Sequence, residues 1–405
     1  MKKRNYARMM FPIANQRGAA LITGLLLVVV LTILSIAAMM STATELRIAS
    51  NDRSAKQVFY MTEAGIEDAR SRLQLGASAS PINDSTPSNP TWTAFVGTAA
   101  KSTEKGYDSS NSNHSLYAQL NPSLNYVVKV MHKLDGSGVP LKWGDSNLDG
   151  RPDENTTVGE SIYVITSEGY ESSGTLKPLK IEASRVPPIT TPAALYTKAH
   201  TTIQGSSTNV LGMDRCGSSN VPGVLTMDSI TMNGGPTITG SPSDIIENSS
   251  INVDVQHMIN QFKTIANYQY NVNSATLTGM TWGAPTPGAT QQDPSSCSDR
   301  NIVYYNTNST YVKLSGGTQG CGILLVEGDL NVHGGFQWYG VVLVTGSVTF
   351  SGGGEKNVSG AMLAGGTVSA DLVAGDANII YCSGAVNFQT QYRPLMTLRW
   401  VELFS

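Results

Sequence analysis

The chain has 405 residues, 40 glycines, 14% charged residues and a net charge of −3, which allows two or three domains. Outside the first residues there is no cluster of Lys or Arg. That excludes nucleic acid as a principal partner, because phosphate contacts need concentrated cations. No Gly-x-Ser-x-Gly, phosphate loop, dinucleotide fingerprint or His-x-x-x-His spacing stands out, so the common hydrolase, nucleotide and zinc chemistries have no signature here.

Lys2, Lys3, Arg4, Arg8 and Arg17 form a basic leader without an acid, and Gly18 follows. Ala19 to Thr44 then runs without a charge, and Glu45 is the first acid. Such a run exceeds the ~30 Å hydrocarbon core and is flanked as a membrane segment with a cytoplasmic N-terminus. A discarded signal peptide ends in a small-residue cleavage site after its apolar core. Here the small residue precedes the apolar run, and a helical pattern follows it: Val58, Met61/Thr62, Gly65/Ile66, Ala69 and Leu73. No proline occurs from Ile13 to Ser80. Residues 19 to about 75 are predicted to be one helix of roughly 85 Å.

Gln16-Arg17-Gly18 followed by Ala19-Ala20-Leu21-Ile22-Thr23 resembles a type IV prepilin. Thr44 to Asn51 and Tyr60 to Ala64 are closest to the PilX-type minor pilins. The resemblance covers residues 16 to 75. It implies cleavage between Gly18 and Ala19 by a prepilin peptidase. The apolar helix is then retained and packs in a filament or tip through Thr23, Leu26, Val29 and Leu31. Most pilins have glutamate at the fifth mature position, where this chain has Thr23. The resemblance implies that this absence suits a tip subunit, with no neighbour above it to neutralise. The alternative is a plain single-pass anchor with an uncleaved N-terminus.

Residues 77 to about 120 are rich in Ser, Asn, Thr, Pro and Gly and read as a surface loop. Residues 126–131, 161–167 and 176–186 read as three strands of a small antiparallel head sheet, whose missing core face the helix supplies. Between the first two lies Asp145-x-Asn147-x-Asp149-Gly150-Arg151-x-Asp153. Alternating oxygen ligands, a glycine turn and the Arg151 carbonyl at the seventh position make the front of a Ca²⁺ loop. Thr156 replaces the usual twelfth-position glutamate. A structural Ca²⁺ that fastens the hairpin is expected, and the bland reading is an acidic turn.

Pro187-Pro188 and Pro192 mark a boundary. Beyond it, lines beginning at Gly322, Gly340 and Gly360 repeat with spacings of 18 and 20 residues. That period suits turns of a β-solenoid, which bury their apolar faces only by stacking. Residues 223–235 look like a related turn. Residues 252–266 read as a helix that caps the open end of the stack. Cys216, Cys297, Cys321 and Cys382 lie in the exported part, without a Cys-x-x-Cys pair, and suggest two disulfides. Three pairings are open, and order along the chain suggests Cys216–Cys297 and Cys321–Cys382. The five histidines are scattered, and isolated basic residues such as Lys101 and Lys356 read as surface.

The predicted fold class is α+β. A leader over 1–18 precedes a transmembrane helix half over 19–44 and an amphipathic half over 45–76. A loop with an antiparallel head occupies 77–186, and a glycine-rich β-solenoid-like domain occupies 193–405. The expected role is that of a PilX-like minor pilin, a structural subunit and not an enzyme, priming or capping pilus assembly. Its expected location is the inner membrane before assembly and the surface pilus afterwards. Other minor and major pilins and a tip adhesin are the implied partners. The alternatives are a minor pseudopilin of type II secretion and a membrane-anchored β-solenoid enzyme acting on polysaccharide.

Overall fold

The computed structural model describes residues 16–402 except 75, 77, 172–173, 286–296, 298, 366–370, 375 and 388–392. The basic leader expected over 1–15 lies outside the described residues. Helix α1 (Gln16–Leu73) runs unbroken for 58 residues, or about 86 Å at 1.5 Å per residue. Its apolar first part is fully exposed, and burial begins only at Val58. Val58, Thr62, Ile66, Ala69 and Leu73 are buried. These are positions three and four apart, so one stripe faces the core.

The stripe covers a sheet larger than the three strands expected. In chain order the head contains β1 (Thr93–Val96), α2 (Ala99–Glu104), β2 (His114–Tyr117), β3 (Tyr126–His132), β4 (Lys142–Gly144), β5 (Asp153–Thr156), β6 (Glu160–Ser161), β7 (Tyr163–Tyr170) and β8 (Leu176–Arg185). Among the described residues, six strands form the head sheet, in the order β2-β1-β3-β7-β8-β26, and β26 is Leu395–Glu402. The β1–β2 pair is parallel and the other pairs are antiparallel. The expected surface loop over 77–120 is thus corrected. Its turn residues bracket a short apolar run, and Trp92, Ala94, Phe95 and Val96 are buried. The expected extent of the second domain, 193–405, is corrected as well: Leu395 pairs with Arg185 and Trp400 with Ile181, which makes β26 part of the head.

Beyond the head come β9 (Leu195–Thr197), β10 (Thr201–Gln204), β11 (Asn209–Leu211), β12 (Val224–Thr226), β13 (Ile230–Asn233), β14 (Thr237–Thr239), β15 (Ile245–Ile246) and α3 (Val255–Phe262). The chain continues through β16 (Tyr268–Asn271), β17 (Ala275–Thr278), β18 (Thr281–Trp282), β19 (Asn301–Ser315), β20 (Gln319–His333), β21 (Phe336–Val344), β22 (Val348–Ser351), β23 (Lys356–Ala364), β24 (Asp371–Ala374), β25 (Ala377–Tyr381) and α4 (Ser383–Asn387). Among the described residues, β9 to β25 form one 17-stranded sheet whose pairs are parallel. Gly322 pairs with Gly340, and Gly340 with Gly360. All three have φ between +116° and +140°. A Cβ at Gly340 would strike the Gly322 carbonyl, and one at Gly360 would strike the Gly340 carbonyl. The corner therefore admits only glycine. Inside, Tyr270 stacks on Tyr305 and Phe336 on Trp338, with ring centroids 4.8 Å and 6.3 Å apart.

The chain does not wind from one end of this coil to the other. It arrives at β9, in the middle, and proceeds through β12 to β15. Residues 247–267 then carry it back past the stack, and it resumes at β16 beside β19. From there it winds through β20, β21 and β23 until β25 docks on β11, and β23 docks on β9. Two halves of the sequence thus meet at an internal seam. The chain then returns to the head beside the point where it left, and the Val186 N–H donates to the Pro394 carbonyl at 3.1 Å. The coil is an insertion between two neighbouring head strands. Helix α3 is the return path, lying against β20 and β21 with Val255, Met258, Ile259 and Phe262 buried in the coil's core. The expectation that it caps the stack end is corrected: its apolar stripe needs the side of the stack, and the route from β15 to β16 runs along that side.

Candidate functional site

Two surfaces merit functional scrutiny, the free part of α1 and the junction of head and coil. Large apolar side chains from Leu21 to Met40 are exposed, among them Leu26 at 60%, Val29 at 47% and Leu31 at 53%. The helix is long and apolar enough to cross a membrane. Its hydroxyls do not oppose that environment. Thr23 Oγ1 donates to the Ala20 carbonyl at 3.1 Å, Thr32 and Ser35 donate to carbonyls one turn back, and so do Thr42 and Thr44. Self-satisfied hydroxyls enter hydrocarbon or a helix-packed core without a stranded polar atom. Gly18 and Ala19 lie within the helix backbone.

The other end of α1 is fixed firmly. Gly65 and Gly169 allow a close approach: a Cβ on Gly65 would overlap Ser167, and one on Gly169 would overlap the Val58 carbonyl. Thr62 Oγ1 donates to the Lys177 carbonyl and accepts the Gly169 N–H. Asp68 and Arg72 are both buried and form an ion pair at 2.5 Å. The Asp68 carboxylate also accepts the Tyr126 hydroxyl at 2.5 Å and the Leu120 N–H at 2.9 Å. Arg72 donates to the carbonyls of Ser80 and Ala118. Burial, reinforced by the hydrogen bond to Asp68, pushes the Tyr126 hydroxyl well above its usual range. This network escapes a reading of the sequence. An acid and a base four apart on a helix ordinarily mark a solvent-exposed pair.

The suspected Ca²⁺ loop joins β4 to β5 in a subsidiary three-stranded sheet, not the first two head strands directly. Asp145 accepts the N–H groups of Asp149 and Gly150, at 3.0 and 2.8 Å. Asn147 hydrogen-bonds Asp149, and Asp149 accepts the Arg151 N–H. Burial raises the Asp145 carboxyl above its ordinary value despite those amides, and the charge of Asp149 adds to the rise. Asp153 is exposed at the start of β5. The Arg151 side chain turns away to Asp254, the N-cap of α3, and the Asp254 N–H donates to the Asp149 carbonyl. The loop therefore docks head onto coil. Among the described residues, no group of three or more His, Cys, Asp or Glu side chains is placed to hold a metal ion. Beside this junction a cavity of about 890 Å³ lies between Trp143, His257, Ile265 and Met396.

All four cysteines are paired, but not in chain order: the disulfides are Cys216–Cys382 and Cys297–Cys321. Chain order misleads because the seam sets the end of one half beside the start of the other. Asp214 accepts the N–H groups of Cys216, Ser219 and Ser383 at the same place. Burial opposes its charged form, yet these bonds hold its carboxyl below the usual value. Asn209, Asn378 and Asn357 form an amide ladder across the seam, at 2.7 and 2.8 Å. Lys356, expected at the surface, is fully buried. Its ammonium donates to the carbonyls of Gly352 and Gly354, and burial lowers its pKa. Asp376 accepts the Lys356 N–H through its carbonyl, and the side chain of Asp371 lies outside the described residues.

A family model described as PilX N-terminal matches residues 17–67. No curated protein and no solved structure matches the chain.

Proposed function

We propose that this chain is a PilX-type minor pilin at the pilus tip that helps prime assembly; the match of the PilX N-terminal family model to residues 17–67 supports this. The observation that carries the reading is the division of α1: an exposed apolar part outside the fold, and a buried part locked into the head by Asp68 and Arg72. Before assembly the apolar part anchors the chain in the inner membrane. After cleavage behind Gly18, it packs among other minor and major pilins through Thr23, Leu26, Val29 and Leu31. Thr23 carries no charge for a neighbour's amine, which suits a terminal position. We read the parallel stack as a β-solenoid that the head presents outward, with a structural and adhesive role instead of a catalytic one. The loop 145–153 is proposed to take a structural Ca²⁺ on Asp145, Asn147, Asp149, the Arg151 carbonyl and Asp153. The support is its oxygen-rich donor set and the half-buried Asp145 beside Asp149. Such loops bind in the range of about 10⁻⁴–10⁻³ M.

Deletion of the gene tests the main reading. Surface pili should become scarce and should return when the wild-type chain is supplied. Unchanged piliation with lost protein secretion would assign the chain to a secretion pseudopilus instead.

A further inference from the structure

Strand β26 ends the head sheet: β8 pairs with one side of it, and among the described residues no strand pairs with the other. The junction cavity of about 890 Å³ is lined by Pro394, Leu395, Met396 and Thr397. Consecutive strand residues point to opposite faces of a sheet, so a cavity that touches all four runs along the strand's edge. Its other wall is His257, Asn260, Gln261 and Thr264, one stripe of α3 and the turn that follows. The opposite stripe of α3 is spent in the coil's core. Trp143, Pro152 and Ile265 add apolar surface. The result is a groove between a strand edge and a helix.

The first step of this edge already has a substitute partner. The Leu395 N–H donates to Gln74 Oε1 at 2.6 Å, and Gln74 Nε2 donates to the Arg393 carbonyl at 3.3 Å. A side-chain amide from the residue after α1 thus makes the two bonds that a neighbouring backbone would make. The Pro394 carbonyl turns the other way and accepts the Val186 N–H. Ladder groups alternate along an antiparallel strand, so the next outward pair is the Leu395 carbonyl and the Thr397 N–H, on the groove side. A smaller cavity of about 240 Å³, lined by Gln74, Arg70 and Leu395, continues the groove toward α1. Where the two cavities meet, Arg70 Nη1 pairs with Glu67, but Arg70 Nε is buried and has no hydrogen-bond partner. A buried donor left unmade is costly, so an acceptor arriving there is favoured.

We propose that this groove takes an extended polypeptide segment of another protein, added to the head sheet as a strand beside β26. The chemistry chooses the occupant. Outward N–H and C=O groups spaced along an edge match another backbone in extended form. A helix satisfies its own backbone and would leave β26 unpaired. A glycan has no ladder of matching spacing, and the wall of Trp143, Ile265 and Met396 asks for an apolar side chain. A carbonyl or carboxylate of the segment meets Arg70 Nε. The inference goes beyond the pilin reading and uses it only to say that neighbouring subunits are at hand.

The test pans random linear peptides displayed on phage against the full chain in detergent micelles, with the Thr397→Pro chain as counter-target. Proline is tolerated on an outer edge, where its missing N–H faces no strand of the fold. Selected peptides should carry apolar residues at alternate positions. In fluorescence anisotropy, Thr397→Pro should bind them about tenfold more weakly. Asn260→Trp, which fills the groove from the helix wall, should weaken binding as much, with thermal melting unchanged in both. Thr349→Ala, outside the groove, should match the wild type. Methylating alternate backbone nitrogens of the peptide should abolish binding in one register and spare it in the other, because only every second N–H faces β26. No enrichment over the counter-target would overturn the proposal. So would equal binding by wild type and both variants, or by both methylated peptides. Self-association of the wild type that Thr397→Pro abolishes would make the occupant a second copy and overturn it too. Unchanged pili in the deletion strain would sink the pilin reading and leave the peptide result standing.

Discussion

In the head, one element from elsewhere in the chain supplies the missing core: α1 lies across the sheet, and buried polar groups such as Asp68, Arg72 and Tyr126 tie it to the loops around 80 and 120. In the coil, each level is covered by the next level, and the special fastenings sit where the two halves of the sequence meet. The difference separates two tasks. The buried end of α1 is seated in the head by these polar groups. The coil leaves and rejoins the head at two adjacent strands, β8 and β26, and is further docked by the 145–153 loop through Asp149, Arg151 and Asp254.

The largest expected effect comes from opening the seam. Replacing Cys216 and Cys382 by serine removes a cross-link spanning 166 residues, worth up to about 5 kcal/mol in the chain-entropy picture. Denaturant unfolding should show the coil's transition falling and the head's staying; a shared fall would join what the comparison separates. The Cys297–Cys321 bond closes a loop spanning only 24 residues, and replacing both by serine should cost about 3 kcal/mol. Asp68→Ala acts on the other region. It strands the Arg72 guanidinium in the core and should destabilise the head by about 3–5 kcal/mol, with the coil's resistance to proteolysis intact. Loss of both together would count against independent regions.

Smaller effects sharpen the same contrast. Asn378→Ala interrupts the amide ladder at its centre and takes one partner each from the buried Asn357 and the half-buried Asn209, for about 1–3 kcal/mol in the coil. In the head, Asp84 accepts His132 and Tyr163 at 2.9 and 3.0 Å. Burial opposes its charge, but these bonds prevail and its carboxyl lies below the ordinary value. A depressed carboxylate stabilises the fold above the unfolded pKa and loses that contribution as pH falls through the folded one. The head should therefore weaken below about pH 4, and Asp84→Asn should flatten that part of the acid profile. An unchanged profile in the variant would remove Asp84 from the account.

What could be read beforehand follows from how local each signal is. The helix was legible because Val58, Thr62, Ile66, Ala69 and Leu73 repeat at helical spacing in a stretch without proline. The lines at Gly322, Gly340 and Gly360 are offset by 18 and 20 residues, and the same glycines pair in the sheet. Long-range partners carried no such mark. Nothing in residues 395–402 says that they return to β8, because antiparallel pairing leaves no period in the sequence. Trp92 to Val96 was hidden among turn residues that dominate any window around it. The Cys216–Cys382 pair depends on a seam that exists only once the chain has doubled back. Lys356 looked like an ordinary surface cation, and only the turn at 352–354, with two carbonyls aimed at its ammonium, explains its burial.

The central claim, that α1 is kept as the assembly element of a pilin, is tested most directly by mass spectrometry of the N-terminal peptide in sheared surface fibres and in inner membrane. A peptide beginning at Ala19 in the fibres is the expected result. An N-terminus that retains the basic leader, found in the membrane and absent from the fibres, would contradict the account and leave α1 as a simple anchor.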